Sequence, residues 1–284
     1  MRFSTLALCL ALLAPTAAFA IPIHAAPPAF TTKADVKAAR ESDGRIEKIR
    51  QKIIKQAKAG ELDQPSAKKL KLEAKLASMA KQINDALKGS KDDRPILVIV
   101  EGPDGAGKSS TMARLAPAFA GVKQVDEMHF GAPPKDAEKV HWVKRFMDSL
   151  PEKGGVKLWD RSYYGRAVYD SHYGFSDKAL TKETLREIRD FEGLLRDKVR
   201  VVKFYLDTPG ENLANTIAKR EVTAPEKLAE SDYSSYRDRK AIKQLFNTAI
   251  EATGREIPWH VINMKDRGAG RTEMLKILKK ELVD

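Results

Sequence analysis

Residues 102–109 read Gly-Pro-Asp-Gly-Ala-Gly-Lys-Ser, which fits the spacing G-x-x-x-x-G-K-[ST] at every fixed position. Glycines let such a loop turn so that successive backbone N–H groups face inward and form an anion nest. A helix beginning near Lys108 would add the positive end of its dipole. The Lys108 ammonium can reach terminal phosphates, and the Ser109 hydroxyl can ligate Mg2+. The phosphate-binding set is then Gly102, Gly105, Ala106, Gly107, Lys108, Ser109 and Ser110. Asp104 lies inside the same loop, where a carboxylate opposes phosphate unless it meets a metal ion, a proton or a cation. It is a candidate either for metal binding or for orienting an acceptor phosphate.

A second cluster starts at Asp160, which follows the apolar run 156–159. An aspartate at the carboxyl end of a core strand either supplies a second carboxylate to a Mg2+ site or caps a helix. With Asp104 and Ser109 it completes the metal-binding candidates. Arg161 and Arg166 come next, and guanidinium groups can bridge phosphoryl oxygens bidentately. Phosphoryl transfer needs positioning, a metal and cations more than covalent chemistry. The catalytic candidates are therefore Asp104, Lys108, Asp160, Arg161 and Arg166. A basic stretch with Lys219, Arg220, Lys227, Arg237, Arg239 and Lys240 stands where a mobile lid closes over phosphates in such enzymes. Arg220 and Lys227 are its candidate site residues. The five histidines show no zinc-like spacing, and no serine-nucleophile elbow occurs.

The elements that must hold these residues are legible in the pattern. Apolar runs at 96–100, 122–125, 156–159, 201–206 and 259–262 read as buried strands. Helical stretches lie between them at 109–119, 138–150, 182–196 and 239–252. Alternating strands and helices imply an α/β fold around a parallel sheet. Upstream, Ile46, Ile49, Ile53 and Ala57 form one helical stripe, and Leu72, Leu76, Met79 and Ile83 form another. Gly60 ends the first helix and Ser66 is an N-cap for the second, so the pair reads as an αα-hairpin.

The 284 residues carry 51 Lys and Arg against 39 Asp and Glu, a formal charge of +12. Residues 31–91 hold 16 basic and 8 acidic residues of these, a local excess of +8. Such a balance favours anionic partners, and it also suits a solvated helix face. The start of the chain has Arg2, an apolar run over 6–13 and an Ala18-Phe19-Ala20 ending, the three parts of a secretory signal peptide. Cleavage near Ala20 would remove Cys9, the only cysteine, and Arg2, lowering the charge from +12 to +11. The expectation is an exported, periplasmic or secreted protein without a membrane segment after cleavage. The expected divisions are a signal peptide at 1–20, a leader at 21–32, a basic hairpin at 33–91 and a catalytic domain at 92–284 with its lid at about 210–245.

Glu101-Gly102-x-Asp104-x-Ala106-Gly107-Lys108 paired with Asp160-Arg161-Ser162-x-Tyr164-x-Arg166 resembles the polyphosphate kinase 2 family. Ala132-Pro133-Pro134, Trp142, Arg145, Leu150-Pro151 and Gly154 add to the likeness, which runs from about residue 94 to the end. The resemblance implies a P-loop kinase-like parallel sheet with a lid, and usually a homo-oligomer. It implies Mg2+-dependent phosphoryl transfer between polyphosphate and a nucleotide, ADP or AMP, with no nucleic-acid partner. The family's loop aspartate and lysine, second aspartate, two arginines and first lid residue fall on Asp104, Lys108, Asp160, Arg161, Arg166 and Arg220. The chain departs from the family at Gly165, where asparagine is usual, and at 225–229, which lacks the usual tryptophan. An ATP-dependent kinase similar to thymidylate kinases and a non-catalytic polyanion-binding protein are the other readings.

Overall fold

The computed structural model describes residues 44–60, 66–122, 124–131 and 141–284. The expected signal peptide and leader, with Cys9 and Ala20, lie outside the described residues, as do Ala132, Pro133 and Pro134. The chain runs through α1 (Arg45–Lys58), α2 (Ala67–Lys88), β1 (Ile96–Glu101) and α3 (Lys108–Leu115), which a 3-10 turn at Ala116–Phe119 extends. Then come β2 (Gln124–His129), α4 (Val143–Met147), β3 (Gly155–Asp160), α5 (Tyr164–His172), α6 (Lys178–Leu195) and β4 (Arg200–Asp207). The rest is α7 (Gly210–Thr223), α8 (Glu230–Arg237), α9 (Arg239–Thr253), β5 (Trp259–Asn263) and α10 (Arg267–Leu282). Among the described residues no helix is long and apolar enough to cross a membrane.

The strands form one parallel sheet in the order β2-β3-β1-β4-β5. Because β1 lies between β3 and β4, the strand order reverses beside it, and a crevice opens at the carboxyl ends of β1 and β3. Every β1 residue is buried, since helices cover both faces. Ile96, Val98 and Val100 face a core shared with β4 and α10, while Leu97 and Ile99 face one built on α5, α6 and α9. The apolar-run criterion expects the second strand at 122–125, but β2 runs on to His129 through Asp126 and Glu127. An edge strand is covered on fewer sides and tolerates polar residues that a run of hydrophobics cannot reveal.

Ser66 does cap α2, accepting from the Lys69 N–H at 3.3 Å. The two N-terminal stripes do not close on each other as a hairpin. Ile46 and Ile53 of α1 pack with Leu213 and Ile217 of α7 and with Tyr233 and Tyr236 of α8. Leu76, Ala80, Ile83 and Leu87 of α2 join the central core with Phe119, Leu275 and Leu278. Each stripe is one face wide, and each is already covered by a different part of the domain.

One buried polar network pins the start of α5, the helix that follows the second acidic cluster. Lys203 on β4 and Glu192 on α6 are fully buried and meet at 2.6 Å. Glu192 also accepts from the Tyr163 and Tyr164 hydroxyls at 2.8 Å each, and Lys203 donates to the Tyr164 oxygen at 2.9 Å. Removing one member of a buried pair leaves the other charge uncompensated, at a cost of about 3–5 kcal/mol. Lys203→Met should lower the unfolding free energy by about that amount in urea titration. Lys203→Met with Glu192→Gln should recover most of it, and equal losses in the single and double variants would contradict the account.

Candidate functional site

The sheet delivers the loop with little freedom. Gly102 has φ +148°, and a Cβ there would lie 3.1 Å from Leu206 Cβ and 3.2 Å from its carbonyl oxygen. Only glycine fits both the dihedral and the space. Gly105 and Gly107 also have positive φ, at 81° and 90°, and α3 starts directly after Gly107. The Lys108 side chain is 6% exposed. Its ammonium donates to the Gly102 and Pro103 carbonyls at 2.9 and 3.1 Å. Carboxylate oxygens of Asp104 and Asp160 lie 3.7 and 3.9 Å away.

Asp160 pairs in register with Val100 of β1, so it stands beside the mouth of the loop. The Ser109 hydroxyl donates to Asp160 Oδ2 at 3.1 Å, and His129 Nδ1 lies 3.4 Å from the same oxygen. Asp160 Oδ1 is buried without a hydrogen-bond partner. A carboxylate oxygen left free beside a hydroxyl and a phosphate nest suits a small, hard divalent cation completed by phosphate oxygens and water. Asp104, the third metal candidate, is turned elsewhere. It forms an ion pair with Arg161 and a hydrogen bond with the Ser231 side chain, and its N–H donates to Ser235 Oγ at 3.3 Å. Burial alone would raise its carboxyl, but Lys108 and Arg161 outweigh that and hold it well below the usual range.

Arg161 has φ +66° and is the one non-glycine residue with positive φ among the described residues. That conformation costs about 1–3 kcal/mol and persists because its surroundings fix it. Its N–H continues the sheet by donating to Val100 O at 3.0 Å, and its guanidinium lies 5.5 Å from the Tyr169 ring centroid. Arg166 does not join this cluster, because it pairs with Asp170 one turn along α5. Arg220, expected to lead a lid, donates to Asp232 of α8 at 2.7 Å, so it ties α7 to α8. Lys227 is exposed on the turn Pro225–Lys227.

Several neighbours of the loop were not legible as site residues. Ser231 and Ser235 sit on α8, which rests against Asp104. Arg267 donates to Gly105 O at 2.9 Å and to Thr216 Oγ1 at 2.7 Å, and Arg271 donates to Ser110 Oγ at 2.8 Å. A signal for the last two existed. Cations in the first turns of a helix oppose its dipole, and α10 opens with two.

The strand order, the glycine loop between β1 and α3, and an aspartate ending β3 define the class of P-loop kinase-like folds. Within that class the chain belongs to the polyphosphate kinase 2 family, whose model matches residues 60–284. The crystal structure of polyphosphate kinase 2 from Arthrobacter aurescens TC1 superposes with a TM-score of 0.65 at 22% identity, over 75% of this chain and 79% of that one. That likeness is one of fold. A polyphosphate:AMP phosphotransferase of Pseudomonas syringae pv. tomato is 28% identical over 191 residues, 66% of this chain and 38% of that protein. An ADP-polyphosphate phosphotransferase 2 of Rhizobium meliloti is 28% identical over 192 residues, 66% of this chain and 62% of that protein. The chain thus spans less than two thirds of the length of either curated relative.

Glu101, the last residue of β1, is fully buried directly behind the loop. The Ser162 hydroxyl donates to its Oε1 at 2.8 Å, while Oε2 has no partner. Burial pushes its carboxyl up to about 7, against the pull of Ser162, Lys108 and Arg161. The folded state therefore holds this proton at pH values where the unfolded chain has lost it, so ionisation opposes folding. The Glu101 contribution should make stability fall as pH rises from about 4.5 to about 7. Glu101→Gln should flatten that part of the urea-midpoint profile, and an unchanged slope would show that the carboxyl is ionised in the folded protein.

Proposed function

We propose that this chain transfers a phosphoryl group between inorganic polyphosphate and a nucleoside mono- or diphosphate, with Mg2+ as cofactor. The observation that carries the reading is the convergence of Lys108, the Ser109–Asp160 pair and the Asp104–Arg161 pair at the carboxyl ends of β1 and β3. The names of the two curated relatives supply the substrate class, polyphosphate with AMP or with ADP. In the direction of nucleotide synthesis, a phosphate oxygen of the acceptor bonds to the terminal phosphorus of polyphosphate. The bridging P–O bond breaks, its electron pair stays on the shortened chain, and no proton transfer is obligatory.

The protein's own groups position and stabilise charge. Backbone N–H groups of the loop face the phosphates, and the Lys108 ammonium leaves the Gly102 and Pro103 carbonyls to follow the terminal phosphoryl oxygens. Asp160 and Ser109 would hold the Mg2+, which when bound neutralises charge on the phosphate oxygens. Arg161 presents its fork toward the loop from a fixed backbone, and Asp104 aims it. The hydroxyls of α8 seat the lid on Asp104 and exclude water that would otherwise hydrolyse the donor. Asp104 thus acts through Arg161 and the lid, which sets it apart from the Mg2+ pair. We also propose that the protein is exported, on the tripartite segment at 1–20.

The decisive assay gives the mature protein Mg2+, AMP or ADP, and either polyphosphate or ATP as donor. Polyphosphate-driven nucleotide synthesis is expected; activity with ATP alone, or with neither donor, would overturn the reading. Lys108→Ala should lower kcat by about a hundredfold or more, the scale for losing one preorganised charge-stabilising group. Full activity in that variant would sink the site. For export, the chain expressed in a bacterium should be recovered outside the cytoplasm with Ile21 at its N-terminus, and retention of Met1 in the cytoplasm would refute it.

A further inference from the structure

The end of β2 brings to the loop a side chain that the proposed chemistry has not used. His129 is the last residue of β2 and pairs in register with Asp160, the last residue of β3. Side chains paired across neighbouring strands point to the same face of a sheet. Val156, Leu158 and Asp160 alternate onto the face that carries α3, and Val125 and His129 share it across the register. The backbone here has little freedom. The Phe130 N–H donates to the Asp160 carbonyl at 2.9 Å, and the buried Phe130 ring packs 4.8 Å from Phe146 and 4.9 Å from Trp159 between centroids. The His129 side chain is 61% exposed, so its ring is open to solvent beside the crevice.

His129 Nδ1 lies 3.4 Å from Asp160 Oδ2, longer than the roughly 2.7–3.2 Å usual for an N–H···O bond. Ser109 Oγ lies 3.1 Å from the same oxygen. Two adjacent ligands of an octahedral ion with bonds of about 2.1 Å stand about 3 Å apart. Both separations are close to what an ion held by Oδ2 requires of its neighbouring ligands, and Asp160 Oδ1 is buried without a hydrogen-bond partner. A carboxylate, a hydroxyl and an imidazole thus converge from β3, α3 and β2. The spacing of histidines along the chain could not reveal this, because the partners of His129 lie on other segments.

We propose that His129 is a third protein ligand of the cation held by Ser109 and Asp160, and that it biases the site toward a divalent first-row transition ion over Mg2+. This rests on the reading of the Ser109–Asp160 pair given above and adds to it a ligand and a metal preference. Imidazole nitrogen is a good ligand for transition ions, whereas Mg2+ keeps to oxygen. Ligation requires the tautomer with its proton on Nε2, which leaves the Nδ1 lone pair facing Asp160. Mg2+ still binds through the two oxygen ligands and phosphate, but it gains less from the ring.

Mn2+ is the probe, offered to the protein with pyrophosphate, which contains no nitrogen. Electron spin-echo spectroscopy of the bound Mn2+ should show the nitrogen coupling of a coordinated imidazole in wild type. His129→Ala and His129→Gln should both lose it. The preference for Mn2+ over Mg2+, measured by competition, should fall by about tenfold or more in both variants. Glutamine keeps an N–H that can donate to Asp160, so a wild-type preference in His129→Gln would reduce the histidine to a hydrogen-bond donor and overturn the proposal. Nitrogen coupling absent from wild type, or persisting in His129→Ala, would overturn it as well. Asp160→Asn separates the two levels of the argument. Mn2+ binding that survives that change would fault the Ser109–Asp160 pair, whereas binding that needs Asp160 but shows no imidazole would fault His129 alone. None of these measurements depends on polyphosphate turnover.

Discussion

The Lys108 ammonium lies almost out of water, and much of the site surrounds it with compensating oxygens. Desolvating one such ion costs several kcal/mol. One carboxylate near 4 Å returns only about 4 kcal/mol at an effective dielectric near 20. Two carboxylates and two carbonyls surround it here. The carbonyls come from a loop that only glycine at 102 can form, one carboxylate comes from that loop, and the other comes from the neighbouring strand. The parallel pairing of β1 with β3 supplies that second carboxylate. It brings Asp160 level with Val100, just before the loop begins.

The compensation extends outward in shells of alternating charge. Asp104 balances Lys108 and in turn holds Arg161, whose strained backbone is stitched to β1. Behind Arg161, Ser162 meets the buried Glu101, and Tyr163 and Tyr164 anchor on Glu192 and Lys203. The rigidity of the turn at 160–164 therefore comes from a network on the far side of the sheet from α10. For the proposed phosphoryl transfer, donors that do not reorganise are an advantage.

How far the sequence revealed this depends on whether a residue acts within its own segment. The loop, Lys108, Ser109 and Asp160 are local to strand ends, and their spacing is enough to find them. The parallel sheet is equally legible, because central strands buried on both faces must be continuous apolar runs. The polar edge strand β2 breaks that rule, so its residues beyond 125 were hidden. Contacts between distant segments were hidden as well. Arg267 and Arg271 lie about 160 residues from the loop atoms they touch. No periodicity reports that α1 faces α7 and α8 and α2 faces α10, because a stripe announces burial without naming its partner. Arg166 shows the converse: the motif places it in sequence, while its ion pair with Asp170 on the same helix face could not be read from the motif.

That division of partners leaves α7 and α8 with two seams. Ile46 and Ile53 are buried against α7 and α8, and Arg50 adds a contact to Glu221 at 3.5 Å. Exposing two buried isoleucines costs about 3–6 kcal/mol. The seam between α7 and α8 on one side and the loop on the other is different in kind. It holds hydroxyl contacts such as Thr216 with Gly105 O at 3.1 Å and Ser235 with the Asp104 N–H at 3.3 Å. Each contributes only about 0.5–1.5 kcal/mol net, and water or a phosphate oxygen can replace it. α1 is thus joined to α7 and α8 by apolar burial, while the seam between those two helices and the loop is polar. The helix α1 thereby belongs with α7 and α8, while α2 packs into the central core beside the sheet.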